Sequence, residues 1–206
     1  MSTAPAPSSR WEGGFRLWTT RTRISAARSG SPAAALLRNR RTIAATVWTR
    51  EQIFLMLTAE GWREWVQALR IQLSALNDAE PETIAAALAQ SLTARPLFCD
   101  LLAQAPMNLE RNVSLEAAYT FKMAVLAEVD TLNTALRQQI RIPEPAAADV
   151  ISTATGMAGA LWQMAAPGTG LRTLYESHPE LAHAVVDVEP RLTRILTALL
   201  TGMAPT

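Results

Sequence analysis

The sequence predicts an all-α protein, and three observations carry the prediction. Apolar residues recur at three- and four-residue intervals over long stretches, alanine dominates a 49% hydrophobic composition with only 6% aromatics, and no segment alternates as a strand would. At 206 residues the chain has room for one helical domain with a sizeable core, or for a small head and a larger body. The periodic text starts at Arg50. Before it, Met1 to Thr49 holds eight arginines, no lysine and one acid, Glu12, among Ser, Thr, Ala, Gly and Pro without helical period. After it come eleven basic and seventeen acidic residues, so the overall +1 divides into +7 and −6. Residues 1–49 are therefore expected to form an arginine-rich, poorly ordered segment, and residues 50–206 a folded helical body.

The first predicted helix runs from about Arg50 to Leu76, with Phe54, Leu57, Trp62, Trp65, Leu69, Leu73 and Leu76 on one side. Asn77, Asp78 and Glu80 before Pro81 read as a stop and restart, because capping side chains end one helix and proline is tolerated in the first turn of the next. That next helix covers about Glu82 to Thr93. Arg95-Pro96 repeats the device for a short helix, Leu97 to Gln104, expected to end before Pro106. Asn112 and Ser114 are both good N-caps for a long helix from about Ser114 to Ile140, whose Ala118, Phe121, Val125, Val129, Leu132 and Leu136 recur at threes and fours. Pro143 and Pro145 lead into a helix over about Ala146 to Ala166, in which Gly156, Ala158, Gly159 and Ala160 would let a neighbouring helix come close. A loose stretch around His178-Pro179 then precedes a last helix, about Pro190 to Leu200, with an apolar face of Leu192, Ile195, Leu196 and Leu199 that has to be covered.

Several function classes lack support in the residues. A lone Cys99 builds neither a disulfide framework nor a cysteine-based metal cluster, and beside Phe98 it reads as a small buried apolar residue, with a redox-sensing thiol as the alternative. His178 and His183 are five positions apart and do not share a helix face as a metal pair would, so no metal and no cofactor are expected. No nucleophile with an oriented base and no paired acids point to catalysis, so an enzyme is not expected. Val150 to Leu171 carries no formal charge, yet its Ser, Thr, Gln, Pro and Gly content argues for a buried helix and against a membrane span. The basic leader resembles a transit peptide in composition but lacks a clean amphipathic face, and cytoplasmic residence is expected.

The text from Thr49 onward resembles a known family. Arg50-Glu51-Gln52-Ile53-Phe54-Leu55 is similar to the segment that follows the recognition helix in the tetracycline-repressor (TetR) family. Ser91-Leu92-Thr93-Ala94-Arg95-Pro96-Leu97-Phe98-Cys99-Asp100-Leu101-Leu102, then Leu109-Glu110-Arg111-Asn112-Val113-Ser114, Phe121-Lys122, Gly159-Ala160-Leu161-Trp162 and Pro167 resemble its C-terminal effector domain. The resemblance covers about Thr49 to Gly202. It implies an all-helical homodimer that represses transcription, with operator DNA held by a helix-turn-helix head and a small apolar effector bound in the body. By that resemblance Trp62, Trp65, Phe98, Cys99, Met107, Met123 and Trp162 surround the effector cavity, with Glu110 as a polar contact; a plain core, and an ion pair and cap at Glu110 to Asn112, are the structural alternatives. The resemblance also places the dimer interface on the last two long helices, at Met157, Leu161, Leu192, Ile195, Leu196 and Leu199.

The head departs from the family pattern. Only Ile43-Ala44-Ala45-Thr46-Val47-Trp48 is similar to the end of a recognition helix, and the aromatic pair that should follow is missing. An acid-poor, period-free text joined abruptly to a regular one is what a shifted reading frame in a GC-rich gene produces, so helix-turn-helix text is expected in another frame upstream of Arg50. Arg38, Arg40 and Arg41, the densest basic cluster, are the candidates for residual phosphate contact. Two functions follow: a ligand-responsive DNA-binding repressor, or a headless ligand-binding and dimerisation module that pairs with intact relatives.

Overall fold

The computed structural model describes residues 48–76 and 79–203. Seven α-helices are described: α1 (Arg50–Ser74), α2 (Pro81–Thr93), α3 (Pro96–Gln104), α4 (Leu115–Gln139), α5 (Glu144–Ala165), α6 (Gly170–Ser177) and α7 (Val188–Met203). A π turn (Ala105–Leu109) and a 3-10 turn (Glu110–Asn112) join α3 to α4, and a second 3-10 turn (Pro179–Ala184) joins α6 to α7. No strand occurs among the described residues, so the all-α class holds.

Local chemistry sets the boundaries. Pro81 and Pro96 each open a helix, where the missing N–H costs nothing. Ser114, rather than Asn112, caps α4: its Oγ accepts from the Ala117 N–H at 3.2 Å, while Asn112 Nδ2 donates to the Asn108 carbonyl at 2.6 Å. Asn77 and Asp78, the expected stop signal, lie outside the described residues. Pro106 does not end the helical path as expected. The chain widens to a π turn around it, which absorbs the absent donor, and then tightens to 3-10 before α4. The expected loose stretch around His178-Pro179 is the second 3-10 turn, and ahead of it lies α6, an element the sequence did not predict, whose first turn is capped by Thr169 Oγ1 accepting from the Arg172 N–H at 3.4 Å.

The core sits where α2 lies along α7 and α5 packs against α3, α4 and α7. Leu88, Leu92, Leu132, Leu136, Val150, Ile151, Leu161, Leu192 and Leu196 are buried there, and α1 adds Trp65, Leu69 and Leu73. A smaller cluster of Leu55, Leu101, Ala105, Leu109 and Phe121 joins the second turns of α1 and α4 and the end of α3 to the π turn. Asn133, buried on α4, ties that helix to the next by donating from Nδ2 to the Glu144 carbonyl at 3.0 Å. Gly159 is required by a close approach: a Cβ there would lie 2.9 Å from the Ala103 nitrogen and 3.2 Å from its Cα. The small-residue stretch thus admits a neighbouring helix at Gly159, and that neighbour is α3. Gly156, on the same helix, faces open space. No helix of the described residues is long and apolar enough to cross a membrane.

Candidate effector site

The eight residues expected around one cavity occupy three separate places. Trp62, Trp65, Phe98 and Cys99 are buried together in the main core cluster. The indoles of Trp62 and Trp65 meet edge to face with centroids 5.5 Å apart, Trp62 meets the Phe98 ring edge to face at 5.9 Å, and Trp65 tilts against Phe98 at 6.0 Å. These are favourable aromatic separations. Three rings from α1 and α3 thereby interlock, and the Phe98 ring presses on the α1 backbone so closely that a Cβ at Gly61 would lie 2.5 Å from Phe98 Cδ2. Trp65 Nε1 donates to Ser91 Oγ at 2.8 Å, and Ser91 donates in turn to the Leu88 carbonyl at 2.9 Å. Every fully buried side-chain N and O atom of the described residues has a hydrogen-bond partner.

Cys99 stands at the edge of this cluster with its Sγ 3.3 Å from the Leu92 carbonyl oxygen. Burial, reinforced by Asp100, pushes its thiol up to about 12. A thiol held protonated in this way is a small core residue and a poor redox sensor.

Met107 and Met123 are on the surface, 65% and 48% exposed. Glu110 pairs with Lys122 of α4 at 2.8 Å, the structural alternative anticipated for it. Arg111 and Asn112 are exposed in the 3-10 turn. Trp162, half-buried near the end of α5, forms a wall of an open groove of about 670 Å³ whose other lining includes Thr93, Pro167, Arg172, Val186, Asp187 and Glu189. Sequence reasoning passed over Arg172, Asp187 and Glu189. The signal available was Thr169 as an N-cap ahead of Leu171 and Leu174, which places a helix, and Arg172 with it, beside the start of α7.

The expected dimer residues divide in two. Leu161, Leu192 and Leu196 are 2%, 0% and 0% exposed within the single subunit, because α2 covers that face of α7 and α5 turns Leu161 into the same core. The subunit's own core covers these three side chains. Met157, Ile195 and Leu199 are partly exposed on the edge of the core. Arg38, Arg40, Arg41 and the segment from Ile43 to Val47 lie outside the described residues.

Residues 59–206 match a family described as tetracyclin repressor-like, C-terminal domain. No curated protein matches the chain.

Proposed function

Because the chain belongs to the tetracycline-repressor-like family through the C-terminal domain at residues 59–206, we propose that it is a ligand-responsive transcriptional regulator of the cytoplasm, homodimeric and without catalytic activity. The observation that carries this reading is the ring junction of Trp62, Trp65 and Phe98, where α1 meets α3 across a Cβ-free helix surface at Gly61. Helix α1 is a single rod of 25 residues. From Trp62 back to Arg50 it extends about 18 Å at the α-helical rise, so a tilt of roughly 10° about the junction moves its start by about 3 Å. A small, largely apolar effector that parts the rings would favour the tilted state and shift the population of the head accordingly.

Dimerisation would use the edges of α5 and α7 that the core leaves open: Met157, Ala160 and Met164 on one, Ile195 and Leu199 on the other. Operator DNA is the proposed partner, with Arg38, Arg40 and Arg41 offering phosphate contacts. A second reading, a headless module that pairs with intact relatives, is favoured by the +7 segment with one acid and no helical period.

A mobility-shift assay with DNA upstream of the chain's own gene, at near-physiological salt, separates the two. Retardation that depends on sequence supports the regulator; indifferent, salt-labile binding leaves the module. Light scattering on the same sample checks the dimer, and a monomer at all concentrations would remove the basis of both.

A further inference from the structure

We propose that Arg63 is a two-position clasp between α1 and α4: it pairs with Glu60 along its own helix in this structure, and in an alternative closed state it crosses to Glu128 and draws the two helices together. The clasp does not depend on whether the chain regulates transcription.

The register of the two helices places these groups. Leu55 of α1 and Phe121 of α4 belong to one buried cluster. Farther along both helices, Gln67, Arg70 and Ser74 of α1 line a groove of about 310 Å³ together with Ala135 and Gln138 of α4. Later residues of α1 thus meet later residues of α4, and the two rods run parallel. Arg63 precedes Arg70 by the same seven residues that separate Glu128 from Ala135. Seven residues make about two turns, so Arg63 stands opposite Glu128. An apolar rung closes the seam at Leu55 and Phe121, whereas polar side chains border the groove beyond it.

The charges between those ends are unevenly matched. Arg63 is committed to its own helix, where Nε donates to Glu60 Oε2 at 3.0 Å and Nη2 donates to Oε1. Glu128 is half-buried and pairs with no cation among the described residues, and Arg70 has no carboxylate partner there. Arg63, Arg70 and Glu60 of α1 all act on the Glu128 carboxyl, and Glu64 acts on Arg63. The other elements against α4 have their acids occupied or exposed. Glu144 of α5 lies beside Arg137, and Asp149 of α5 is exposed. Glu110 of the 3-10 turn pairs with Lys122, and Asp100 of α3 accepts from Gln163. Only the α1 side therefore offers Glu128 a cation.

Exchange of partners is easy in this setting. The Arg63 and Glu60 side chains are 48% and 38% exposed, and exposed pairs three residues apart are weak. Burial raises the Glu128 carboxyl in the open seam, against the pull of Arg63 and Arg70. Direct pairing with Arg63 lowers it in the closed seam, so loss of the Glu128 proton favours closure. The closed state is a minority that grows as pH rises through the open-state value of Glu128 and recedes in acid.

Dipolar electron paramagnetic resonance tests the clasp on the full chain, with nitroxides at Leu57→Cys and Leu126→Cys. Both positions are exposed and Cys99 is fully buried, and excess unlabelled chain confines the measured distances to one subunit. The short-distance population should grow at least threefold from about pH 4.5 to about pH 8, a range that spans a raised glutamate. Glu128→Gln and Arg63→Gln should each abolish that growth. Glu60→Gln, which frees Arg63, should enlarge the short-distance population about twofold at the higher pH. A distribution independent of pH in the parent, growth that survives Glu128→Gln or Arg63→Gln, or a short-distance population reduced by Glu60→Gln would each overturn the proposal.

Discussion

Replacing Gly159 with alanine tests the packing of α5 on α3 most directly. The added methyl would sit 2.9 Å from the Ala103 nitrogen, 3.2 Å from Ala103 Cα and 3.2 Å from the Leu102 carbonyl carbon. All three are backbone atoms of α3, so no side chain can rotate away, and relief requires the whole last turn of α3 to move by a few tenths of an ångström. Overpacking of this kind costs about 1–3 kcal/mol, and contact with backbone puts the site near the upper figure. Against it stands the gain of about 1 kcal/mol from exchanging glycine for alanine inside a helix. The net expectation is a loss of about 2 kcal/mol. Gly156→Ala is the internal control, three residues away on the same helix with nothing within 4 Å of its would-be Cβ, and should show the propensity gain of about 1 kcal/mol alone. Urea unfolding followed by helical circular dichroism should therefore separate the two variants by about 3 kcal/mol, or about 1.5 M in midpoint for a slope near 2 kcal/mol/M. Runs at two protein concentrations tenfold apart remove any contribution from self-association. Equal stability of the two variants would refute the close approach of α5 and α3.

Ala166 ends α5 in the left-handed region, at φ 46° and ψ 46°, where an L side chain is strained. Ala166→Gly should raise stability by about 1 kcal/mol in the same urea assay, and a loss would refute the strained cap. Cys99 has its thiol raised from 9.0 to about 12, so the folded state keeps a proton that the unfolded chain releases. Its contribution is complete below pH 9 and is lost as pH climbs from about 9 to about 12, by up to about 1.4 kcal/mol per pH unit. Cys99→Ala should show a shallower alkaline decline than the parent, and parallel curves would contradict the burial. Glu128 on α4 has its carboxyl raised by burial, a rise opposed by Arg63 and Arg70 and reinforced by Glu60. A raised carboxyl contributes stability at low pH that disappears as pH rises through its folded value, so Glu128→Gln should be the more stable protein at neutral pH and lose that advantage in acid. A variant less stable than the parent at pH 7 would refute the assignment.

The fold was legible wherever termini are written in single residues. Pro81, Pro96 and Ser114 mark helix starts by what they lack or accept, and the structure uses all three as such. Pro106 was legible as a missing donor but not as its remedy. Ending a helix and widening one turn both remove the demand for that N–H, and the choice depends on Leu109 and Ala105 finding the Leu55–Phe121 cluster. Helix α6 escaped because eight residues hold barely two turns, too few for periodicity to stand out. The site was legible as a set of residue types and no further. Spacing put Trp62 and Trp65 on one face of the first helix and the resemblance added Phe98, but how the three rings meet depends on their orientation across two helices, which no one-dimensional period encodes.

The expected interface residues divide between the core and its edge for a related reason, and the reason bears on how two copies would meet. Helix α7 carries leucines at 192, 196 and 200 on one stripe and Ile195 and Leu199 on its flank, and both read as apolar in sequence. The subunit covers the stripe itself, with α2, because an intramolecular partner is always present while a second chain must be found and immobilised. What remains at the edge is the half-buried Met157, Ile195 and Leu199, with exposed Ala160 and Met164. Methionine adapts its shape to a partner more readily than leucine, and alanine allows helices to approach. An interface built from such residues depends more on close helix contact than on burial of large side chains. Its strength should therefore respond sharply to bulk: Ala160→Phe should shift the proposed dimer toward monomer in light scattering while leaving the urea midpoint of the isolated subunit nearly unchanged.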